Sequence, residues 1–174
     1  MNNIIYNFIL GLSLILMQAL FLNNINFLEY LNPFLYIYFI IYFPIKNNRT
    51  LFIITAFIYG LIIDLFCDTH GIHAASTLCI AYFRPYLLKI FFGLAYEHQV
   101  VKLNSLELKQ NLLYLFSMII IHHSILLSLE VFDVSKTNLI FNNIFSNSIF
   151  TFITIYVLYE FLMKRLKWEK LYSL

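Results

Sequence analysis

The chain has 174 residues; 61% are hydrophobic, only 11% are charged, and the net charge is +2. A soluble domain carries about 45–50% apolar and about 25% charged residues. There is too little polar surface here for a water-facing particle, which excludes the soluble, disordered and nucleic-acid-binding classes. A spanning helix takes about 20 residues, so six account for about 120. No stretch is left for a soluble domain of even about 50 residues. The expectation is an all-α membrane protein, a polytopic bundle of about six transmembrane helices forming a single integral-membrane domain over 1–174.

The first apolar run, Ile4–Leu22, is broken only by Asn7, Ser13 and Gln18. It has no preceding Lys or Arg, is too long for a signal core, and reads as a retained membrane helix. The second run, Phe34–Phe43, is short and framed by Pro33 and Pro44. Ten helical residues rise about 15 Å against a core of about 30 Å, so this run is tilted, kinked, re-entrant or extended to 31–45. The third run is Leu51–Phe66 and contains Asp64; the fourth is Ala74–Phe92 and contains Arg84, Pro85 and Lys89. The fifth, Leu112–Phe132, gains an earlier start near Ser105 from a capping pattern, Asn104 followed by Glu107. The sixth is Ile144–Leu162. Backbone groups in lipid must bond internally, and no alternating ten-residue barrel pattern occurs, so the runs are helices. The expected helices are 4–22, 31–45, 51–66, 74–92, 105–132 and 144–162.

Charge placement orients them. Lys46, Arg49, Lys89, Lys102, Lys109, Lys164, Arg165, Lys167 and Lys170 fall on one side, and Lys136 alone on the other. The basic side is expected to be cytoplasmic, with both termini there. Glu29, Asp68, Glu130 and Asp133 lie opposite. In the tail 163–174, Lys164, Arg165, Lys167, Trp168 and Lys170 read as an interfacial helix on anionic lipid or as a frayed polar end.

Charges inside a membrane are costly and draw functional hypotheses. Gly60 and Asp64 share a helix face one turn apart, joining close approach to a polar contact. That face either docks a partner helix or stabilises the core beneath such a contact; the alternative is a carboxylate reaching the outer headgroups. Pro85 removes a backbone donor and is expected to kink the helix or loosen a turn. Arg84 is expected to snorkel to the cytoplasmic interface; the alternatives are donation to the carbonyls that Pro85 frees and pairing with a carboxylate. Cys67, Asp68, His70 and His73 form a polar cluster with metal-ligand chemistry, but their spacing fits no standard zinc pattern and Gly71 points to a helix–turn–helix corner. Cys79 reads as a small buried hydrophobe. His122 and His123 point about 100° apart, which does not suit a shared ligand face; hydrogen bonding inside the bundle is the expectation and a proton relay the alternative. The aromatic residues read as mostly lipid-facing and interfacial. No metalloprotease, nucleophile-elbow, phosphate-loop or dinucleotide motif occurs, so neither an enzyme nor a cofactor is expected.

The central segment reads Asn32-Pro-Phe-Leu-Tyr-Ile, then Pro44, then Gly60-Leu-Ile-Ile-Asp64-Leu-Phe, then His70-Gly71-Ile72-His73-Ala-Ala, then Phe83-Arg84-Pro85. It resembles the MreD family of rod-shape-determining membrane proteins, in the form found in Bacteroidetes, from about Asn32 to Phe92. The resemblance implies a non-enzymatic subunit of the cell-elongation machinery in the bacterial inner membrane. Its implied partners are an MreC-like protein, the MreB filament, a RodA-type glycosyltransferase and a class B penicillin-binding protein, besides the lipid bilayer. Pro44, Gly60, Asp64, Gly71, Arg84 and Pro85 carry over as fold or interface positions, none as a catalytic residue. The family has been likened to the substrate-binding subunits of energy-coupling-factor transporters, so a small-molecule-binding subunit of that kind is the alternative. An intramembrane enzyme using Asp64, Asp68 and the histidines is the weakest reading, because no paired catalytic geometry recurs at helical spacing.

Overall fold

With no water to bond, an apolar chain closes its backbone hydrogen bonds within each helix, and the structure does this along most of its length. The computed structural model describes residues 3–24, 31–43, 48–97, 108–131 and 137–172, with side chains described over 5–23, 31–43, 48–93, 108–131 and 137–162. Pro44, the Asn104/Glu107 capping pattern, and the side chains of Lys164, Arg165, Lys167, Trp168 and Lys170 lie outside the described residues.

The helices are α1 (Asn3–Leu20), α2 (Ile37–Tyr42), α3 (Arg49–Cys67), α4 (Ile72–Glu97), α5 (Leu108–Val131) and α6 (Thr137–Tyr172), with a 3-10 turn at Leu22–Asn24. The chain is an all-α bundle. Arg49–Cys67, Leu108–Val131 and Thr137–Leu162 are long and apolar enough to cross a membrane, and Ile5–Leu20 is a shorter apolar helix. The sixth helix starts seven residues before the expected Ile144 and continues through the basic tail.

The second helix is the main departure. It spans six residues rather than 31–45. Residues 31–34 lead in without helical structure, and 3-10-type bonds from Ile37, Tyr38 and Phe39 to Phe34, Leu35 and Tyr36 start the turn. Tyr36, Ile37, Ile40 and Ile41 are fully buried. This segment is the axis of the bundle.

Contacts along the axis fix the helix directions. Gln18 of α1 meets Leu35, while Gly11 packs on Phe39. His73 of α4 meets Tyr36, while Arg84 meets Phe43. His122 of α5 meets Tyr36, while Tyr114 meets Ile41. On α6, Asn147 meets Asn32 and Tyr159 stacks on Tyr42. Hence α1, α3 and α5 run against the axis, and α4 and α6 run with it. Asn147 and Tyr159 are twelve residues apart on α6, so residues 32–42 advance about 18 Å along it.

The aromatic residues divide. Phe8, Phe21, Phe57, Phe66, Tyr82, Phe83, Tyr86, Phe141, Phe145 and Phe161 face outward as expected, whereas Tyr36, Tyr38, Phe39, Phe52, Tyr59, Phe92, Tyr114 and Tyr159 are buried in the core. Phe39 stacks on Tyr59 at 4.6 Å between centroids. Rings fill the wide gaps that a thin six-residue helix leaves between its neighbours.

The fourth helix also differs. Backbone angles stay helical through Pro85, and the break comes at Gly93, with φ 47°. A single missing donor is tolerated where neighbouring helices pack around it, whereas the positive φ at Gly93 ends the regular helix. The apolar run itself stops at Phe92.

Candidate functional site

The polar residues gather around the two ends of the central segment. At its start, the non-helical backbone has donors that no helix can satisfy. Asn32 N–H donates to Asn147 Oδ1 (3.0 Å), Phe34 N–H to Thr151 Oγ1 (3.2 Å) and Leu35 N–H to Gln18 Oε1 (2.9 Å). Gln18 in turn donates to Asn23, and Asn23 Nδ2 lies 3.0 Å from Cys67 Sγ. An unmet donor in lipid costs several kcal/mol, on the order of one helix cap or more, so these side chains permit the extended entry.

Below this layer sits Tyr36. Its hydroxyl lies 2.6 Å from His73 Nδ1 and 2.9 Å from His122 Nε2. A hydroxyl carries one proton, so it donates to one ring nitrogen and accepts from the other. His123 Nδ1 lies 2.9 Å from the Ile119 carbonyl and His123 Nε2 lies 3.3 Å from Thr151 Oγ1. Phe34 packs over all three histidine rings, at 5.2–6.3 Å between centroids. His122 and His123 thus hydrogen-bond inside the bundle, as expected. Among the described residues, the buried side-chain polar atoms without a partner are His122 Nδ1 and Ser148 Oγ.

The α3–α4 corner accounts for the sequence motif. Asp64 is buried, and its carboxylate accepts from Thr69 Oγ1 (2.6 Å), His73 N–H (2.9 Å) and Ala74 N–H (2.8 Å). It caps the first turn of α4, where unpaired donors and the helix dipole favour a negative charge. It does not reach the outer headgroups. Gly60, one turn earlier, faces α4 with no room for a side chain: an added Cβ would lie 2.6 Å from Ala74 Cα and would also meet Thr77. The Gly60/Asp64 face therefore packs within the chain rather than outward toward a partner helix. The second of the two expected roles, support of the bundle core, is the one the geometry allows.

Gly71 serves differently. Its φ of 98° favours glycine, and a Cβ there would meet nothing within 4 Å. Asp68 (φ 56°) and His70 (φ 53°) are also left-handed, and Asp68 N–H bonds the Asp64 carbonyl. The segment is a helix–turn–helix corner. It scatters the polar cluster: Asp68 and His70 are exposed, Cys67 meets Asn23, and His73 points into the core. Among the described residues, no three His, Cys, Asp or Glu side chains are placed to hold a metal ion. Cys79 is half-buried rather than buried, and both cysteines are free.

At the other end, Arg84 is buried, against the snorkelling expectation. Its guanidinium donates to the Phe43 carbonyl and to Tyr114 Oη (3.3 Å), and lies 4.9 Å from the Phe52 ring centroid. Tyr114 donates to the Ile41 carbonyl (3.2 Å). Carbonyls at a helix C-terminus attract a cation, so Arg84 turns inward to cap α2. Arg84 and Asp64 act at opposite ends of the segment and do not pair. Neighbouring Pro85 is half-buried.

Sequence reasoning missed Tyr36, Gln18, Asn147, Thr151 and Tyr114. Gln18 interrupts the first apolar run, and Asn147 and Thr151 share one face of the sixth; those interruptions were the available signal. No protein-family model, curated protein or solved structure matches the chain.

Proposed function

We propose that this chain is a non-enzymatic scaffold subunit of a bacterial cell-elongation complex, of the MreD kind, resident as a multi-pass protein in the inner membrane. One observation carries the reading. Several of the residues on which the resemblance rests meet at the same buried segment: Asn32 begins it, the Asp64-capped corner positions His73 against it, and Arg84 closes it. In this chain they serve one packing arrangement, which supports reading them together. Most internal polar groups are spent on the bundle itself, and the outward surfaces of α1, α3 and α6 are apolar. Such a surface acts by packing against other helices in lipid. The basic residues orient both termini toward the cytoplasm in this reading, where the MreB filament lies.

The test is affinity purification of a tagged full-length chain from mild detergent. Recovery of an MreC-like protein, with a RodA-type glycosyltransferase or class B penicillin-binding protein, is the expected result. Recovery of an ATPase and a coupling subunit instead overturns it in favour of a small-molecule-binding transporter subunit. The unpartnered His122 Nδ1, buried beside Phe34, is the observation that favours this second reading.

A further inference from the structure

Arg49 opens α3 at the end of the bundle where α2 stops. It is exposed, and its guanidinium carbon lies 5.3 Å from the Tyr82 ring centroid and 5.7 Å from that of Tyr86. The two tyrosines are one turn apart on α4 and about half exposed, at 47% and 51%. Lys89 is exposed one turn further along the same face. Arg49 and the two tyrosines stay outside, while the neighbouring Arg84 supports the interior. Asp64, Asp68 and Glu130 lie at the opposite end of the bundle, and at this end Glu160 sits on α6, next to Tyr159, which stacks on Tyr42.

Arg49 and Tyr82 both hydrogen-bond the Tyr86 hydroxyl, which ties the three side chains into one cluster. A guanidinium has five N–H donors in a planar fork, so those not spent on Tyr86 remain for a planar or tetrahedral oxyanion, and Tyr86, which accepts, keeps its own proton to donate. Half-exposed tyrosines belong at headgroup depth, and this end carries the excess of basic residues. Exposed Leu51, Ile54 and Ile58 continue along α3 from the site and offer apolar surface for acyl chains. We propose that Arg49, Tyr82 and Tyr86 bind the headgroup phosphate of an anionic glycerophospholipid at the α3–α4 edge, with Lys89 matching its net negative charge.

The test is native mass spectrometry of the full chain in mild detergent with equal phosphatidylglycerol and phosphatidylcholine. The wild type should retain the anionic lipid about five-fold over the zwitterionic one, the scale of one interfacial cation. Arg49→Gln should abolish the preference. The Tyr82→Phe/Tyr86→Phe double variant, which keeps both rings, should weaken it. Inorganic phosphate should not displace the lipid. An unchanged preference in Arg49→Gln overturns the site. Displacement by inorganic phosphate overturns the lipid assignment and leaves a free-anion site.

Discussion

Replacing Asp64 with Leu is expected to lower the unfolding free energy by about 3 kcal/mol or more, because it leaves the His73 and Ala74 N–H groups buried without an acceptor and frees the Thr69 hydroxyl. The negative charge at the start of α4 goes with it. Asp64→Asn keeps one acceptor oxygen and should lose about half as much. Thermal unfolding in detergent, followed by helical circular dichroism, measures both. A wild-type midpoint for Asp64→Leu rules out the cap. This outcome differs from the one expected of an outward partner contact, which predicts a stable chain with weakened copurification. A capping carboxylate loses stability first, and its partners only as a consequence.

The second large effect comes from adding a single methyl group. Gly60→Ala places a Cβ 2.6 Å from Ala74 Cα and 2.8 Å from the His73 carbonyl oxygen. Both are backbone atoms and cannot rotate away, so α3 and α4 must separate. The expected cost is about 2–3 kcal/mol, at the upper end for overpacking. Separation also pulls the α4 N-terminus from Asp64, so the two substitutions should be less than additive when combined. Gly71 provides the contrast. There the demand is its φ of 98° and not space. Gly71→Asn should therefore cost less than Gly60→Ala, since Asn tolerates left-handed angles. Equal losses at the two glycines would mean that close helix approach is not what Gly60 supplies.

Much of the bundle was legible from hydropathy, because a chain without water must form long apolar helices. The Gly60/Asp64 face was legible from i, i+4 spacing, and the corner from Gly71. What those residues face was not, since spacing gives a direction on a helix but not the neighbour it meets. The second run was opaque for another reason. Its non-helical start depends on acceptors from Asn147 and Thr151, 115 and 117 residues away in the chain. No local pattern around Pro33 encodes them. Arg84 was misread because the carbonyl it caps belongs to the end of α2, whose position depends on those same distant bonds.

The central claim is that residues 31–43 form the bundle axis, held by side chains from the surrounding helices. Disulfide cross-linking tests it directly. In a Cys67→Ser/Cys79→Ala background, Asn32→Cys and Asn147→Cys place thiols where the Asn32 backbone N–H meets the Asn147 side chain. A disulfide needs Cα atoms within about 7 Å. The account predicts rapid intramolecular oxidation of this pair in native membranes, read as a cross-linked peptide by mass spectrometry, while Asn32→Cys with Glu160→Cys stays unlinked. No link at 32–147, or equal linking of both pairs, would contradict it.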